Sequence, residues 1–554
     1  MRSLGRILSA VVLAALACTG PLDAQSPPAA SPLDAGLRAY AEGRLLEAAE
    51  ALGAALPTAP TYDGWLTLGL AYGRLQRFAE ARRAFDAAIA MDARRPEAWT
   101  ERGGLAFLEK DYPRAVADLR RARRLAPEDG DVRHLLASSL HLAGRPDEAL
   151  ALWNSAGEPL LQRLRISGLS VTRERIVRRE LAVAEGRMLG LDDLRRSRLR
   201  LSELQVFDRV SLRPVPHGGG RADLDVALVE RHGLFASRTE FVAASAVNAL
   251  QRRARLRYSN LGGAGVNLGG EWRFDARRPL VSLSADWPRP FGLPATLRVQ
   301  GFRGRQPYDV GGESLARTRG ADLVLRHVAG PRTVVQLDLR ARRRDFSRPR
   351  TDAPDGFVFG PELGLEQRLV DGTRLELDAG LRAFGALRAL GSDLAYARGV
   401  ATLEGRIFLA ERQGAAFESS VLAVRLRAGH AGRGTPLDDL FAPGASPEME
   451  LPLRGHRQLR RGAIGATALG RSLLLANVEW RRRLWSATAF QAGVVVFYDG
   501  ARIGSGPTPG TTTLHDVGLG LRVALRGTAS LRVDFGRGLT DGRSAWSVGL
   551  GQAF

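Results

Sequence analysis

Residues 233–554 restrict the folds open to this chain more than any other part of its sequence. They form segments of about ten residues in which apolar and polar side chains alternate, separated by turns rich in Gly, Pro and Asp. Examples lie at 282–287, 335–340 and 375–381. The alternation gives each strand one apolar and one polar face, which is typical of a membrane barrel with lipid outside and a polar lumen inside.

A soluble β-sandwich also alternates, but two features favour a transmembrane antiparallel barrel. The span is too long for one sandwich without a second core, and the sequence ends in a strand with apolar residues at alternate positions. These residues are Trp546, Val548, Leu550 and the terminal Phe554, with only Gln552 interrupting the set. About eleven candidate strands precede Gly444 and about five follow Gly462, which predicts about 16 strands, an even number.

The composition of the chain argues against several other classes of protein. After residue 25 no stretch reaches the roughly 18 consecutive apolar residues of a membrane-spanning helix. The net charge is +21, and Lys110 is the only lysine. Because the arginines are scattered, without a long basic run, they indicate a general preference for Arg rather than a nucleic-acid partner. The single cysteine, Cys18, excludes an internal disulfide and a Cys-based zinc site.

The N-terminus has the pattern of a secretory signal over residues 1–24. A positively charged start, an apolar segment and a small-residue cleavage site follow one another. Cys18 leaves open a second outcome, lipid attachment after cleavage, although Ala15 stands where lipoproteins prefer Leu. Residues 25–32 are rich in Pro, Ala and Ser, and they predict a short flexible linker.

Residues 33–157 repeat at an interval of 34 residues, the spacing between Trp65 and Trp99. Large residues fall on one helix face, and small residues fall where paired helices would meet. The repeated positions are Trp65, Trp99, Gly69, Tyr72, Ala81, Ala115, Ala149, Phe85 and the closing Pro127. The pattern resembles the tetratricopeptide repeat and predicts an all-α solenoid of about four units.

The repeat resemblance implies a concave surface that recruits client polypeptides or an accessory protein. A plain spacer is the alternative. In either case the repeated aromatic residues are expected to be packing residues, and no residue of the array suggests catalysis.

Residues 161–232 predict a small α/β domain with the element order β-α-α-β-β. Gly168 ends the first strand, Gly186 closes the first helix, and a turn at 218–220 joins the last two strands. Together with the segment 204–210, this order resembles a POTRA domain, the polypeptide-transport-associated module. The free edges of such a sheet can pair with an extended client.

Three local motifs give residues 233–554 a more specific resemblance. They are an Asn-Leu-Gly-Gly turn within 258–265, Leu-Arg-Gly-His at 453–456 and Phe-Tyr-Asp-Gly at 497–500. In this order they resemble the barrel of the BamA and TamA superfamily of outer-membrane assembly and translocation proteins. Two departures stand out: His456 replaces the family's Phe or Tyr, and Gly500 comes one position early.

The resemblance implies a clamp that holds a loop inside the barrel. Arg454, followed by Gly455 and His456, would reach into the lumen and bind two carboxylates. The matching acidic positions are Glu479 and Asp499, the latter within the strand that also carries Phe497. Glu479 alternates with apolar neighbours, whereas Val495 and Phe497 share the face of Asp499. The alternative is an ordinary network of luminal charges.

No motif for catalysis or metal binding is present in the sequence, which predicts a non-enzyme without cofactor or metal. The resemblance implies a protein of the cell outer membrane, with its N-terminal domains in the periplasm, that helps insert or translocate client polypeptides. Its partners would be unfolded outer-membrane or secreted clients, an accessory protein and membrane lipid. The alternatives are a dedicated secretion pore for one partner and a passive channel or scaffold.

Overall fold

The computed structural model describes residues 31–217, 219–231, 233–234, 238–348, 354–410, 418–446, 450–487, 490–504, 506, 510–525 and 530–552. The predicted signal segment, most of the predicted linker and Phe554 lie outside the described residues. The described residues form two compact units that divide after Trp153.

The first unit is a series of helices that pair in sequence. Its members are α1 (Pro32–Ala41), α2 (Leu45–Ala55), α3 (Tyr62–Arg74), α4 (Phe78–Met91), α5 (Glu97–Leu108), α6 (Tyr112–Leu125), α7 (Gly130–Leu142) and α8 (Pro146–Asn154). Helices α1 and α2, α3 and α4, and α5 and α6 pack as antiparallel neighbours, and α7 meets α8 where the rings of His141 and Trp153 lie 5.9 Å apart.

Small residues set the close approach of the paired helices. A Cβ at Gly69 would lie 2.4 Å from the Phe85 ring, and a Cβ at Gly103 would lie 2.7 Å from the Leu119 side chain. The repeated alanines Ala81, Ala115 and Ala149 are fully buried. Among the other repeat residues, Trp65, Tyr72 and Trp99 are half-buried, whereas Pro127, in the turn after α6, is exposed. The 34-residue period therefore reports packing between helices.

The second unit begins with a small α/β domain, referred to below as the α/β domain. It comprises β1 (Leu160–Ser167), α9 (Glu174–Arg178), α10 (Leu191–Glu203), β2 (Phe207–His217) and β3 (Arg221–Glu230). Strand β3 lies in the centre of the sheet, parallel to β1 and antiparallel to β2. Its core includes the buried side chains of Leu161, Leu194, Leu201 and Val226.

Helix α11 (Arg238–Leu250) leads from the α/β domain into a closed sheet. The sheet contains β4 (Arg253–Leu261), β5 (Val266–Arg273), β6 (Leu280–Pro288), β7 (Thr296–Asp309), β8 (Glu313–Val328), β9 (Thr333–Phe346), β10 (Gly356–Asp371), β11 (Leu375–Ala386), β12 (Tyr396–Phe408), β13 (Ser420–Ala431), β14 (Leu459–Arg460), β15 (Ala463–Ile464), β16 (Ser472–Ser486), β17 (Phe490–Gly504), β18 (Thr512–Leu525), β19 (Leu531–Gly538) and β20 (Ser544–Leu550). Short 3₁₀ turns occur at Pro290–Gly292, Arg388–Leu390 and Leu437–Asp439.

Fifteen of these seventeen strands form the barrel wall, because β13 pairs directly with β16 and the two-residue strands β14 and β15 belong to the loop between them. Within the described residues, ten wall strands precede Gly444 and five follow Gly462. The sequence predicted about eleven and about five. Residues 238–250, assigned to the barrel from sequence, are helical.

An odd number of wall strands has a geometric consequence at the closing point. Each neighbouring pair from β4 to β20 is antiparallel, so β4 and β20, which adjoin in the closed sheet, run in the same direction. A parallel contact is slightly less stable per residue than an antiparallel one. We call this contact between β20 and β4 the seam.

Candidate functional site in the barrel lumen

The loop 432–471 between β13 and β16 folds into the barrel. Its tip carries Arg454, Gly455 and His456, all three of which are buried. The tip contacts inward-facing residues of β16, β17, β18 and β19. The sequence motif at 453–456 is therefore in the lumen.

Arg454 binds the two carboxylates that the resemblance implied. Its Nε donates to Oδ2 of Asp499 over 2.8 Å, and its Nη2 donates to Oδ1 over the same distance. Its Nη1 donates to Oε1 of Glu479, and its backbone N–H donates to Asp499 over 3.0 Å. The planar fork of arginine suits this double contact, which an ammonium group would not reproduce.

Phe497 forms one wall of the clamp. The Arg454 guanidinium carbon lies 3.5 Å from the centre of the Phe497 ring, a cation–π contact in a site closed to water. Phe497 and Asp499 both face the lumen and are buried, whereas Val496 and Tyr498 face outward. Phe497 and Asp499 therefore share a face because the ring and the carboxylate both contact the same guanidinium.

Further clamp residues were not identified from the sequence. The Nδ2 of Asn477 donates to Asp499 and to the Pro452 carbonyl, both over 2.8 Å. Oδ2 of Asp534 lies 3.8 Å from Nη1 of Arg454, and Oδ1 of Asp534 lies 2.5 Å from Nη1 of Arg522. The sequence contains a pattern that could have predicted them. On one face of β18, Asp516 and Arg522 stand at the two ends, and Gly518 and Gly520 lie between them.

His456 is held by carboxylates rather than by apolar packing. Its Nδ1 lies 2.7 Å from Oδ1 of Asp516, and its Nε2 lies 3.0 Å from Oδ2 of Asp541. The other oxygen of Asp516 accepts the backbone N–H of Gly455 over 2.5 Å. The imidazole of His456 therefore links the loop tip to β18 and to the turn after β19 through polar contacts.

Glycines allow the backbone of the loop tip to lie directly on the wall. A Cβ at Gly536 would come within 2.5 Å of the Arg454 carbonyl carbon. A Cβ at Gly455 would meet the Asp516 carboxylate at 2.7 Å. These clashes explain why the motif requires Gly after Arg: a larger residue would push the guanidinium out of the clamp.

The turn between β4 and β5, part of the motif at 258–265, binds the α/β domain. Asn260 donates from Nδ2 to the Thr172 hydroxyl over 2.8 Å, and the Arg173 N–H donates to the Gly263 carbonyl over 3.0 Å. Gly263 has φ 68°, and a Cβ there would lie 2.0 Å from the Val171 carbonyl oxygen. The turn therefore needs glycine for both its conformation and its contact.

Two ion pairs extend this contact across the mouth of the barrel. Nε of Arg289 lies 2.8 Å from Oε1 of Glu180. Nε of Arg326, on β8, lies 2.6 Å from Oε2 of Glu203 at the end of α10. Helix α10 also lines the main luminal cavity, which has a volume of about 1320 Å³ and a lining of arginines and carboxylates. The lumen is thus occupied by loop 432–471 and covered in part by α10.

The seam differs from the rest of the wall. Helix α11 packs against both β4 and β20, and the Nε2 of Gln251 donates to the Val548 carbonyl over 2.9 Å. On β20, Trp546 and Leu550 are exposed on the outer face and Val548 is half-buried. The predicted alternation of this strand is therefore present as far as the described residues extend.

Within the described residues, no helix has the length and apolar character needed to cross a membrane. Likewise, that part of the chain contains no group of three or more potential ligands placed to hold a metal ion.

Comparison with known proteins identifies the two units by fold. Residues 66–130 and 106–165 match models of the tetratricopeptide repeat, which confirms the predicted solenoid. No curated protein matches the sequence.

Among solved structures, the chain is similar to CdiB from Escherichia coli, with 13% identity and a TM-score of 0.52, covering 71% of this chain and 75% of that chain. It also aligns with BamA from Haemophilus ducreyi lacking POTRA domains 1–3, with 15% identity and a TM-score of 0.43, covering 70% of this chain and 84% of that chain. The similarity to CdiB confirms the predicted barrel architecture.

Proposed function

We propose that this protein is an outer-membrane barrel that inserts or translocates other polypeptides and performs no enzymatic chemistry. The repeats and the α/β domain would lie in the periplasm and recruit clients or an accessory protein. The proposal is supported by the barrel fold shared with CdiB, by the tetratricopeptide repeats and by the three sequence motifs, two of which contribute residues to the clamp while the third contacts the α/β domain.

The observation that carries the proposal is the difference between the clamp and the seam. The clamp fixes the loop in the lumen through buried charges, while the seam joins short strands in the less stable parallel arrangement. A client strand can pair with the β20 edge when the seam opens. Because loop 432–471 occupies the lumen and α10 covers part of it, a passive channel is the weaker alternative.

A photo-crosslinking experiment tests the seam directly. A photoreactive residue at Trp546, which is 65% exposed on β20, should crosslink to newly exported polypeptides. The matched control is Leu519 on β18, which is 64% exposed on the same outer surface but lies away from the seam. Equal crosslinking at both positions, or none at Trp546, would contradict the proposal.

Depletion of the protein distinguishes the three functional classes. Broad loss of barrels from the outer-membrane proteome indicates assembly, and loss of one exported protein indicates dedicated secretion. An unchanged proteome indicates a passive channel or scaffold and rejects the proposal.

A further inference from the structure

The outer surface of the wall contains a groove that the proposed function does not use. It crosses β12, β13, β16, β17 and β18 and has a volume of about 500 Å³. Its depth comes from small outward residues beside larger ones. In one row of the sheet Ala401 pairs with Ala428, and in the next row Ala476 pairs with Gly500. The flanking leucines are Leu403, Leu426 and Leu474, all exposed on the outer face.

One end of the groove is polar. Arg502 lies two residues before the end of β17, and its strand partner Thr513 also lines the groove. The hydroxyl of Tyr498 lies 2.7 Å from Nδ1 of His515, and the Tyr498 side chain lies over Gly500, where a Cβ would be 3.0 Å from that hydroxyl. A hydroxyl that donates to Nδ1 leaves the proton of a neutral imidazole on Nε2, a donor for an anion.

Arg502 stands apart from the arginines inside the barrel. In the lumen, Arg454 and Arg522 are buried and paired with carboxylates. Arg502 faces outward and is exposed, and the described part of the chain places no carboxylate within ion-pair distance of it. A cation on the lipid face is tolerated only near the interface, where its head can reach the polar layer. Its place near a strand end fits the depth of a lipid head group.

We propose that this groove binds one membrane lipid, with an acyl chain lying over the small residues and a phosphate head group held by Arg502 and His515. The inference rests on the proposed membrane location of the barrel. Arginine binds phosphate through two parallel hydrogen bonds, and the alanine and glycine surface provides the depth that a flat row of leucines would not. The charge of Arg502, the shape of the groove and its position on the outer face of the wall all favour a phospholipid.

Lipid retention by the purified full-length protein in detergent tests the site. The probe is dioleoyl phosphatidylglycerol, and bound lipid is counted by native mass spectrometry. The wild-type protein should retain one lipid. The variants Arg502→Gln and Ala476→Leu should each weaken retention about tenfold, the factor for one charge-assisted hydrogen bond or for a filled groove. Dioleoylglycerol, which lacks the phosphate, and inorganic phosphate, which lacks the chains, should both fail to compete.

Matched controls separate the groove from general effects of the substitutions. Arg482→Gln removes an exposed outward arginine from β16, and Val496→Leu adds bulk to an outward position of β17; neither residue lines the groove. Both should retain lipid as the wild type does. Wild-type retention by Arg502→Gln and Ala476→Leu, or equal binding of dioleoylglycerol, would overturn the proposal.

The experiment also separates this inference from the proposed function. A wild-type protein that does not fold into lipid vesicles at all contradicts the membrane barrel itself. A protein that inserts and crosslinks clients at Trp546 but retains no phosphatidylglycerol contradicts the lipid site alone.

Discussion

The clamp side and the seam side of the barrel are stabilised in different ways. On the clamp side, β16 and β17 are 15 residues long and carry buried charges that bind the loop tip. On the seam side, β4 has nine residues and β20 has seven. The longer hydrogen-bonded strand pairs and the buried charge network hold the clamp side in one conformation. The short, parallel strands of the seam can separate at a lower cost in free energy. The buried network gives the clamp side a fixed geometry, and under the proposed function the seam side supplies an edge that pairs with client strands.

The α/β domain contributes to this contrast because it binds the seam side. Its segment 170–173 contacts the turn between β4 and β5 through Asn260 and Gly263. The strands next to the seam are thus stabilised from outside the barrel, while β16 to β19 are stabilised by the loop within it. Movement of the α/β domain would therefore affect the seam first.

The largest expected effect comes from Arg454→Ala, which removes the cation of the clamp. Glu479 and Asp499 would remain buried without their shared partner, and breaking a buried pair from one side costs about 3–5 kcal/mol. Arg454→Lys should rescue poorly because its ammonium cannot fork. The measurement is protease cleavage of loop 432–471 in intact membranes, with Arg482→Ala on the outer face of β16 as control. A loop as resistant as in the wild type would exclude a stabilising clamp.

His456→Phe tests whether the polar contacts of His456 stabilise this barrel. The substitution introduces the aromatic residue that the sequence resemblance implied at this position, but it leaves the buried Asp516 without its imidazole partner, at a cost of about 1–3 kcal/mol. The thermal unfolding midpoint of the barrel in detergent should therefore fall. Adding Asp516→Asn should recover part of the loss, since a neutral amide can still accept from Gly455. An unchanged or raised midpoint for His456→Phe would show that packing dominates.

Glu230→Gln should loosen the seam side through the α/β domain. The backbone N–H groups of Ser170, Val171 and Thr172 donate to this carboxylate over 2.7–2.9 Å. Burial favours the protonated form, but these hydrogen bonds outweigh it and lower the pKa of Glu230 to about 2. Because the carboxylate is partly open to solvent, we expect a contribution of only about 1–2 kcal/mol.

The lowered pKa fixes the direction of the pH dependence. The stabilisation is complete above the unfolded-state pKa of about 4.5 and is lost as the pH falls toward 2. Proteolysis within residues 168–173 should therefore rise between pH 4.5 and 2 in the wild type, beyond any rise in Glu230→Gln, which should already be sensitive at pH 7. Asp225→Asn, a half-buried change on the same strand, is the control. Parallel pH profiles for Glu230→Gln and the wild type would contradict this assignment.

The clamp could be predicted from sequence because its residues combine a motif with strand alternation. The face of Glu479 follows from its apolar neighbours, and Arg454 stands in the loop motif. Its extension to Asp516 and Asp534 was not predicted. The alternation of charged residues and glycines on β18 was a local signal, but only the fold brings β18 and β19 beneath the loop tip.

Helix α11 shows the opposite case, where the local pattern was ambiguous. Residues 238–250 lie between the predicted α/β domain and the first clear alternating strand, and they were assigned to the barrel with the rest of 233–554. The helix gains its stability from packing against β4 and β20, as short helices generally do. Its consequence, fifteen wall strands and a parallel seam, could not follow from counting alternating segments.

Gln251→Ala is expected to have the smallest effect and tests the seam most locally. The substitution removes the hydrogen bond from Gln251 to the Val548 carbonyl and should cost about 0.5–1.5 kcal/mol. Since opening of the seam exposes β20 but leaves the clamp intact, hydrogen exchange should accelerate roughly two- to tenfold in β20 and remain unchanged in β17. Ser245→Ala, on the exposed face of α11, controls for changes in the helix itself. An equal acceleration in β17 would mean that the two sides open together, and the contrast between a rigid clamp and an exchangeable seam would then be lost.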